Sequence, residues 1–205
     1  MIREVAYDEV FDSQKHFRSL LDSVSRPGKI NRLDTVRLDP PPGLNTASVM
    51  IAMALLDADS TFDVIGMSDQ AASYIRENTG ARRTRVEHAH FLFADGTETP
   101  DFLDSAHCGT LLYPDTAATV VLQAAGLSSA DAIAGGLRLT LLGPGIEGTT
   151  SLFVKGVNVD LLLALQARNA EFPLGLDTLL TFGDTEGTPY VAALPRTAHV
   201  TWEAC

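Results

Sequence analysis

Helical and extended patterns alternate along the whole chain, and this order constrains the fold more than any other feature of the sequence. Apolar residues recur at helical spacing over 10–25, and the segment 47–56 is apolar almost all round. Further helices are predicted from Ser68 to about Asn78 and after Asn158 or Asp160. Strands are predicted between the helices, over 62–67, 86–94, 118–125, 137–142, 177–182 and 189–194, with an imperfect strand over 29–38. Such interleaving indicates a layered α/β fold.

The connections between neighbouring strands narrow the fold further. Several are too short to hold a crossover helix, so the sheet is expected to contain both parallel and antiparallel pairs. A chain of 205 residues fits one compact domain. We therefore predict a single α/β domain over residues 1–205, built as a mixed β-sheet that is flanked by helices.

Charge and composition exclude several classes of function. The formal net charge of −11 argues against nucleic-acid binding, because phosphate backbones require a basic surface. No apolar run reaches the length of a membrane span, and the first residues lack the apolar region of a signal peptide. The two cysteines, Cys108 and Cys205, suit neither a disulfide framework nor a zinc motif. We therefore expect a soluble cytoplasmic protein.

One glycine-rich segment matches a nucleotide-binding string. Gly143–Gly148 fits GxGxxG and follows the strand predicted over 137–142. In dinucleotide-binding folds a helix begins at these glycines, so that its N-terminus meets the pyrophosphate. Here Pro144 and the segment 149–154 predict a turn and extended chain instead. We therefore interpret the segment as a glycine turn that joins two elements.

Histidines and a cysteine are close enough in the sequence to raise the question of a metal site. His88 and His90 lie two residues apart on the strand predicted over 86–94, so both are expected on one side of it. His107 and Cys108 follow further along the chain. The ligand spacings of zinc motifs are absent, so a half-exposed strand face is favoured and no metal site is predicted.

Arg82, Arg83 and Arg85 form the densest basic cluster in an acidic chain. Guanidinium groups are suited to bidentate contact with phosphate or carboxylate. The cluster therefore fits either an anion site or a solvated face, which could also contact an acidic partner. The solvated face or partner contact is favoured, because exposed charge clusters are common.

Asp177, Arg196 and His199 are the candidate site residues of the C-terminal segment. If the strands 177–182 and 189–194 pair through the turn at Asp184–Thr188, Asp177 at the start of one strand lies near Arg196 at the end of the other. An ion pair that ties the tail to the sheet is the structural interpretation. The functional interpretation makes Arg196 and His199 contacts for an anion. No GxSxG elbow marks a nucleophilic triad anywhere in the chain.

Several sequence blocks, in one order along the chain, point to a known family. They are FRSLL (17–21) and SRPG (25–28), GTLLYPD (109–115) and ATVVLQ (118–123), GPGI (143–146), FPLGLD (172–177) and LPRTAH (194–199). This pattern resembles the PhnH family, subunits of the bacterial carbon–phosphorus lyase complex that degrades phosphonates. The resemblance extends over 17–199, although 29–108 match only loosely.

The resemblance implies a fold like the large domain of pyridoxal-phosphate-dependent transferases, but without the cofactor. The lysine residues of the sequence agree with a fold that lacks the cofactor. A Schiff-base lysine must be presented in a pocket, and Lys155 is the only lysine beyond the N-terminal region. It lies in an extended stretch that matches no such motif, so no cofactor is predicted.

The resemblance also implies a function. The complex attaches a phosphonate to the ribose of ATP with displacement of adenine, and this family belongs to that transferase stage. No complete catalytic set is recognisable, so we expect an assembly or accessory subunit that contacts other subunits of the complex and forms a homodimer in isolation. The candidate ligand or interface residues are Arg196, His199, Asp177 and, in the N-terminal block, Arg18. The alternative is a stand-alone transferase that acts on a phosphorylated small molecule.

Overall fold

A computed structural model describes residues 6–205 of the chain, and the segment expected to lack a signal peptide lies partly in residues 1–5, outside the described residues. The helices are α1 (Phe11–Ser25), α2 (Thr46–Leu55), α3 (Asp69–Thr79), α4 (Asp101–Ser105) and α5 (Val159–Arg168). The strands are β1 (Asn31–Arg32), β2 (Thr61–Ile65), β3 (Arg82–Arg83), β4 (Phe91–Asp95), β5 (Thr119–Gln123), β6 (Gly126–Ser128), β7 (Leu137–Leu142), β8 (Thr150–Lys155), β9 (Asp177–Gly183), β10 (Pro189–Leu194) and β11 (His199–Ala204).

The strands form two sheets. A seven-stranded sheet has the order β1-β10-β9-β5-β4-β2-β3. Strands β9, β5, β4, β2 and β3 run parallel, β10 pairs antiparallel with β9, and β1 pairs antiparallel with β10. This sheet confirms the prediction of a mixed sheet flanked by helices. A second, four-stranded antiparallel sheet has the order β11-β7-β8-β6 and was not predicted. The extent of a single domain over residues 1–205 stays a prediction.

The two faces of the larger sheet build two apolar cores. On one face, side chains such as Phe62 and Phe93 pack against α1, α2 and α3. On the other face, neighbours in the same strands, such as Leu92, pack against α4, α5 and the inner side of the second sheet. Successive strand residues point to opposite faces, and this alternation feeds both cores from the same strands. The larger sheet is therefore the middle layer, with the second sheet on the side opposite α1–α3.

Local capping chemistry sets the starts of the helices. The side chains of Asn45, Ser68 and Asn158 accept backbone N–H bonds at the first turns of α2, α3 and α5. The first turn of α1 is held by Asp8, which precedes the helix. Asp8 accepts the N–H groups of Val10 and Phe11, each at 2.8 Å. These bonds to Phe11 and Val10 hold the pKa of Asp8 below its ordinary value.

Helix α1 has an unusual distribution of side chains. Its inner face buries His16, Leu20 and Ser23. The N–H at Nε2 of His16 donates to the carbonyl oxygen of Asp34 at 2.8 Å, which leaves Nδ1 to accept the Tyr7 hydroxyl at 3.2 Å. Its outer face exposes a row of large apolar side chains, Val10, Phe11, Phe17, Leu21 and Val24, which we call the α1 stripe.

Two sequence predictions of local structure were wrong. The strand expected over 29–38 is reduced to Asn31–Arg32, because only these residues pair with β10. The strand expected over 86–94 begins at Phe91, because the N–H groups of His88 and Ala89 bond back to Arg85 and Val86 and form a helical turn. No strand was predicted after residue 194, and His199–Ala204 form β11 against β7. None of the helices in the described part of the chain has the length and apolar character needed to cross a membrane.

Candidate functional site

Asp177 and Arg196 form the ion pair that the hairpin register predicts. β9 begins at Asp177, and its antiparallel partner β10 ends at Leu194, two residues before Arg196. Asp177 and Arg196 therefore lie at the same end of the hairpin. The guanidinium of Arg196 donates from Nε at 3.1 Å and from Nη2 at 2.6 Å to Oδ2 of Asp177. The backbone N–H of Arg196 donates to Oδ1 at 2.8 Å. The carboxylate therefore holds both the side chain and the backbone of Arg196.

The remaining donors of Arg196 reach two other parts of the chain. Its Nη1 donates to the carbonyl oxygen of Pro114 at 2.8 Å and approaches that of Pro173 at 3.5 Å. A guanidinium has five N–H donors, and among residues 6–205 these contacts leave one of them without a partner. The Arg196 side chain is only 12% exposed. Arg196 thus connects three of the sequence blocks, GTLLYPD, FPLGLD and LPRTAH.

A cavity of about 600 Å³ lies beside this ion pair. Its walls come from α5, the segment after it, the end of β10 and the start of β11. The polar side chains among its lining residues are Gln166, Asn169, Thr178, Arg196, Thr197 and His199, while Leu162, Leu165, Phe172, Leu194, Val200 and Trp202 supply most of the apolar lining. The wall is therefore mainly apolar, and its one arginine is already engaged by Asp177.

The structure brings together three of the four candidate site residues. Asp177 and Arg196 are paired, and His199 opens β11 and lines the same cavity. Asn169 fixes the segment that leads into Asp177, because its side chain accepts the Leu176 N–H at 2.7 Å and donates to the Leu176 carbonyl oxygen at 3.2 Å. Arg18 lies elsewhere, exposed on α1, and is not part of the cavity wall.

The arginine cluster does not form one cationic site. Arg82 and Arg83 make up the short edge strand β3, and Arg85 precedes the turn at Val86–His88. Arg83 donates to Asp69 at 2.7 Å and to Asp63 at 3.0 Å, and these bonds raise its pKa above the ordinary value. Arg83 is therefore paired with two aspartates, while Arg82 and Arg85 are exposed, in agreement with a solvated face.

The histidines and cysteines do not converge. His88 ends a helical turn and His90 precedes β4, so the shared strand face expected for them was wrong. His90 Nδ1 accepts the Thr61 N–H at 3.3 Å, and His107 Nδ1 lies 3.2 Å from the Gly109 N–H. Over residues 6–205, no three His, Cys, Asp or Glu side chains are grouped as metal ligands would be. Cys108 is half-buried, and Cys205 is exposed.

The glycine string is a turn between antiparallel strands. Gly143–Gly148 connects β7 to β8, and the N–H of Ile146 bonds back to the Gly143 carbonyl oxygen. No helix begins there, which agrees with the interpretation as a glycine turn. Lys155, the lysine considered for a Schiff base, is an exposed residue at the end of β8 and is not among the residues that line the cavity.

Sequence reasoning missed the exposed apolar residues in the two segments that Arg196 contacts. Leu111, Leu112 and Tyr113 lie between Thr110 and Pro114 and are all exposed, as is Phe172. The available signal was an apolar triplet between Gly109–Thr110 and Pro114–Asp115, because residues of these flanking types are typical of turns.

Comparison with known proteins gives a consistent result. The family model described as bacterial phosphonate metabolism protein (PhnH) matches residues 6–201. A PhnH subunit of alpha-D-ribose 1-methylphosphonate 5-triphosphate synthase from Rhizobium meliloti (strain 1021) is 36% identical over 198 residues, 94% of this chain and 92% of that protein. A candidate C-P lyase subunit, HtxG, from Stutzerimonas stutzeri is 30% identical over 187 residues, 91% of this chain and 85% of that protein. The chain therefore belongs to the PhnH family of bacterial phosphonate metabolism proteins.

Proposed function

We propose that this chain is an assembly subunit of the carbon–phosphorus lyase core complex. In that role it supports the formation of ribose 1-methylphosphonate 5-triphosphate from ATP and a phosphonate, without an active site of its own. Family membership supports a place in phosphonate catabolism. The relatives from Rhizobium meliloti and Stutzerimonas stutzeri, which carry the names of a synthase subunit and a C-P lyase subunit, support a place within a complex.

The observation that carries the assembly role is how Arg196 uses its hydrogen-bond donors. A phosphonate or a triphosphate is recognised by several charged or polar donors that are free to bind it. In the cavity, Arg196 instead bonds to Asp177, Pro114 and Pro173. Its guanidinium joins parts of the fold, which is the role expected of a residue that shapes a protein surface.

Four finer features belong to the same proposal. The complex acts as a transferase at this stage, and the chain works in the cytoplasm. The fold is like the large domain of pyridoxal-phosphate-dependent transferases, which the mixed seven-stranded sheet between helices supports. The isolated chain is a homodimer, and the α1 stripe supports this, because a row of exposed apolar side chains is typical of an association surface.

Reconstitution of the complex with and without this chain tests the proposal. The chain, co-expressed with the other core subunits, is expected to co-purify through a tag on one of them. The complete complex should convert ATP and methylphosphonate to product, and a preparation that lacks this chain should not.

The isolated chain serves as the control for independent activity. We expect no turnover of ATP and methylphosphonate by the isolated chain. Turnover without the other subunits, or activity of the complex that does not depend on this chain, would contradict the proposal. Turnover by the isolated chain would instead support the stand-alone transferase.

A further inference from the structure

Two turns stand side by side next to the Arg196–Asp177 pair, and both present apolar residues at their tips. In the first, Thr110 and Tyr113 exchange two backbone hydrogen bonds of 3.1 Å, which places Leu111 and Leu112 at the tip. In the second, the Leu174 N–H bonds to the Glu171 carbonyl oxygen at 2.9 Å, which places Phe172 and Pro173 at the tip. We call residues 110–113 and 171–174 the paired turns.

The paired turns are held together from beneath. Nη1 of Arg196 lies 2.8 Å from the Pro114 carbonyl oxygen and 3.5 Å from that of Pro173, so one nitrogen contacts both segments. The N–H of Gly175 donates to the carbonyl oxygen of Cys108 at 3.0 Å and forms a second link. The turns are thus fixed relative to each other before any partner arrives, which lowers the entropy cost of binding.

The tips contradict ordinary turn chemistry. Leu111 is 76% exposed, Leu112 84%, Tyr113 63% and Phe172 68%. Exposed turn tips favour Gly, Asn, Asp, Ser and Pro, because these residues suit the backbone or bond to it. Four large apolar side chains in water expose an area on the order of a few hundred Å², a patch size that marks interaction surfaces. Local rules are broken in this way mainly at functional sites.

The charges beside the tips indicate the kind of partner. Asp115 directly follows the first turn, and Glu171 begins the second; both are exposed. Within residues 6–205, neither carboxylate forms an ion pair. In a symmetric contact with a second copy, the same patch would meet itself and carboxylates of like charge would gather at one interface. A different protein with basic residues around an apolar groove would match both features.

We propose that the paired turns dock this chain onto another subunit of the carbon–phosphorus lyase complex, by inserting Leu111, Leu112 and Phe172 into an apolar groove rimmed by Lys or Arg. This inference rests on the proposed function and specifies the surface through which it acts. The role of the Arg196–Asp177 pair is then to position the two tips. The sequence blocks that Arg196 connects build a docking surface and not a catalytic centre.

Co-expression with the other core subunits tests the docking surface. The variant Leu111→Ser with Leu112→Ser should fold with an unchanged melting temperature, because these side chains are 76% and 84% exposed. Its association should weaken by at least about tenfold, as expected when central apolar anchors are truncated. Phe172→Ser should act in the same direction. Leu163→Ser, which changes an exposed leucine on α5, is the matched control and should assemble like the wild-type chain.

A charge variant tests the chemistry of the partner. Asp115→Asn with Glu171→Gln should slow association and make it less sensitive to salt, because rim charges act mainly on the association rate. Faster association, or an unchanged rate and salt dependence, would contradict the basic rim.

The outcomes separate the docking surface from the proposed function. A wild-type chain that never joins the complex overturns the proposed function and the docking surface with it. A wild-type chain that assembles, together with a leucine variant that assembles equally well, overturns the docking surface alone. A leucine variant that turns the isolated chain from dimer to monomer shows that a second copy covers the patch and also overturns the proposal.

Discussion

Arg196 lies at the point where three distant segments of the chain meet. Its guanidinium bonds to the side chain of Asp177 and to two proline carbonyl oxygens, and its own backbone N–H completes the contact with Asp177. Removal of a buried pair partner is costly because the charge left behind keeps its desolvation penalty without its compensating bonds. A single residue therefore links the stability of the hairpin to the position of the paired turns.

The prediction at the residue scale is a loss of stability on Arg196→Ala. The free energy of unfolding should fall by about 2–3 kcal/mol, below the usual cost for a deeply buried pair because Asp177 is partly exposed. For a chain of this length, that loss corresponds to a melting temperature lower by roughly 4–12 °C. Asp177→Asn should act in the same direction but more weakly, since the amide oxygen still accepts the Arg196 N–H. Thermal unfolding followed by circular dichroism measures both changes.

Arg138→Ala provides the matched control for the loss of an arginine. Arg138 pairs with Glu203 at 3.3 Å, and both side chains are largely exposed. An exposed pair of this kind contributes about 0–1 kcal/mol, so its loss should change the melting temperature little. If Arg196→Ala is as harmless as Arg138→Ala while phosphonate use by the complex is lost, Arg196 is a ligand residue and its structural role is wrong.

At the scale of elements, the turn between β7 and β8 shows why a glycine string need not bind a nucleotide. Gly145 has a φ of +81° and faces the carbonyl oxygen of Ser25 at the end of α1, where a Cβ would clash with the backbone. Gly148 has a similar φ of +71° but open space around its Cα. Glycine is thus required at position 145 by both the turn conformation and the close approach to Ser25, and at position 148 by the turn conformation alone.

The prediction at this scale compares the two glycines directly. Gly148→Ala should lower the stability by about 1–2 kcal/mol, the usual cost of the left-handed region for a residue with a Cβ. Gly145→Ala should lower the stability by about 1–3 kcal/mol more than Gly148→Ala does, because the added Cβ also forces α1 and the turn apart. Chemical denaturation of both variants measures the difference. Equal losses would show that the close approach to Ser25 does not matter.

Elements with strong local signals were predicted well from the sequence. The helices α2, α3 and α5 follow the capping residues Asn45, Ser68 and Asn158. These residue types can be recognised in the sequence, and the structure shows the hydrogen bonds that they form. Strands β5, β7, β9 and β10 are apolar enough to be recognised without tertiary information. The pairing of Asp177 with Arg196 followed from hairpin geometry for the same reason.

Elements that depend on distant partners were not predicted. β11 mixes apolar and polar residues at the edge of the second sheet, and its pairing with β7 depends on a segment far away in the sequence. In α1, the helical pattern was correct, but the sequence did not reveal that Phe17 and Leu21 face outward while His16 and Ser23 are buried. The contacts of Arg196 with Pro114 and Pro173 involve backbone carbonyl oxygens, which every residue type carries and which therefore leave no sequence signal.

At the scale of the whole molecule, two apolar surfaces differ in the charges around them. The paired turns carry Asp115 and Glu171 at their edges, which form no ion pair within residues 6–205, and this favours a basic partner. The charged pairs Lys15–Asp12 and Arg26–Asp22 lie on the opposite side of α1 from Phe17, Leu21 and Val24 of the α1 stripe. Val10, Phe17 and Val24 are spaced by seven residues with Leu21 between the last two, as in the seam of paired helices. Two copies of α1 can meet along this apolar seam, although the net charge of −11 opposes contact elsewhere.

The prediction at this scale is that the α1 stripe joins two copies of the isolated chain. Phe17→Ser with Leu21→Ser should convert the dimer to a monomer in sedimentation experiments at micromolar concentration, because it removes the centre of the apolar seam. The fold should persist, since both side chains are largely exposed. The leucine pair of the first paired turn supplies the matched control: Leu111→Ser with Leu112→Ser should leave the dimer intact. A wild-type chain that sediments only as a monomer, or a dimer that survives the α1 substitutions, would show that this helix is not the self-association surface.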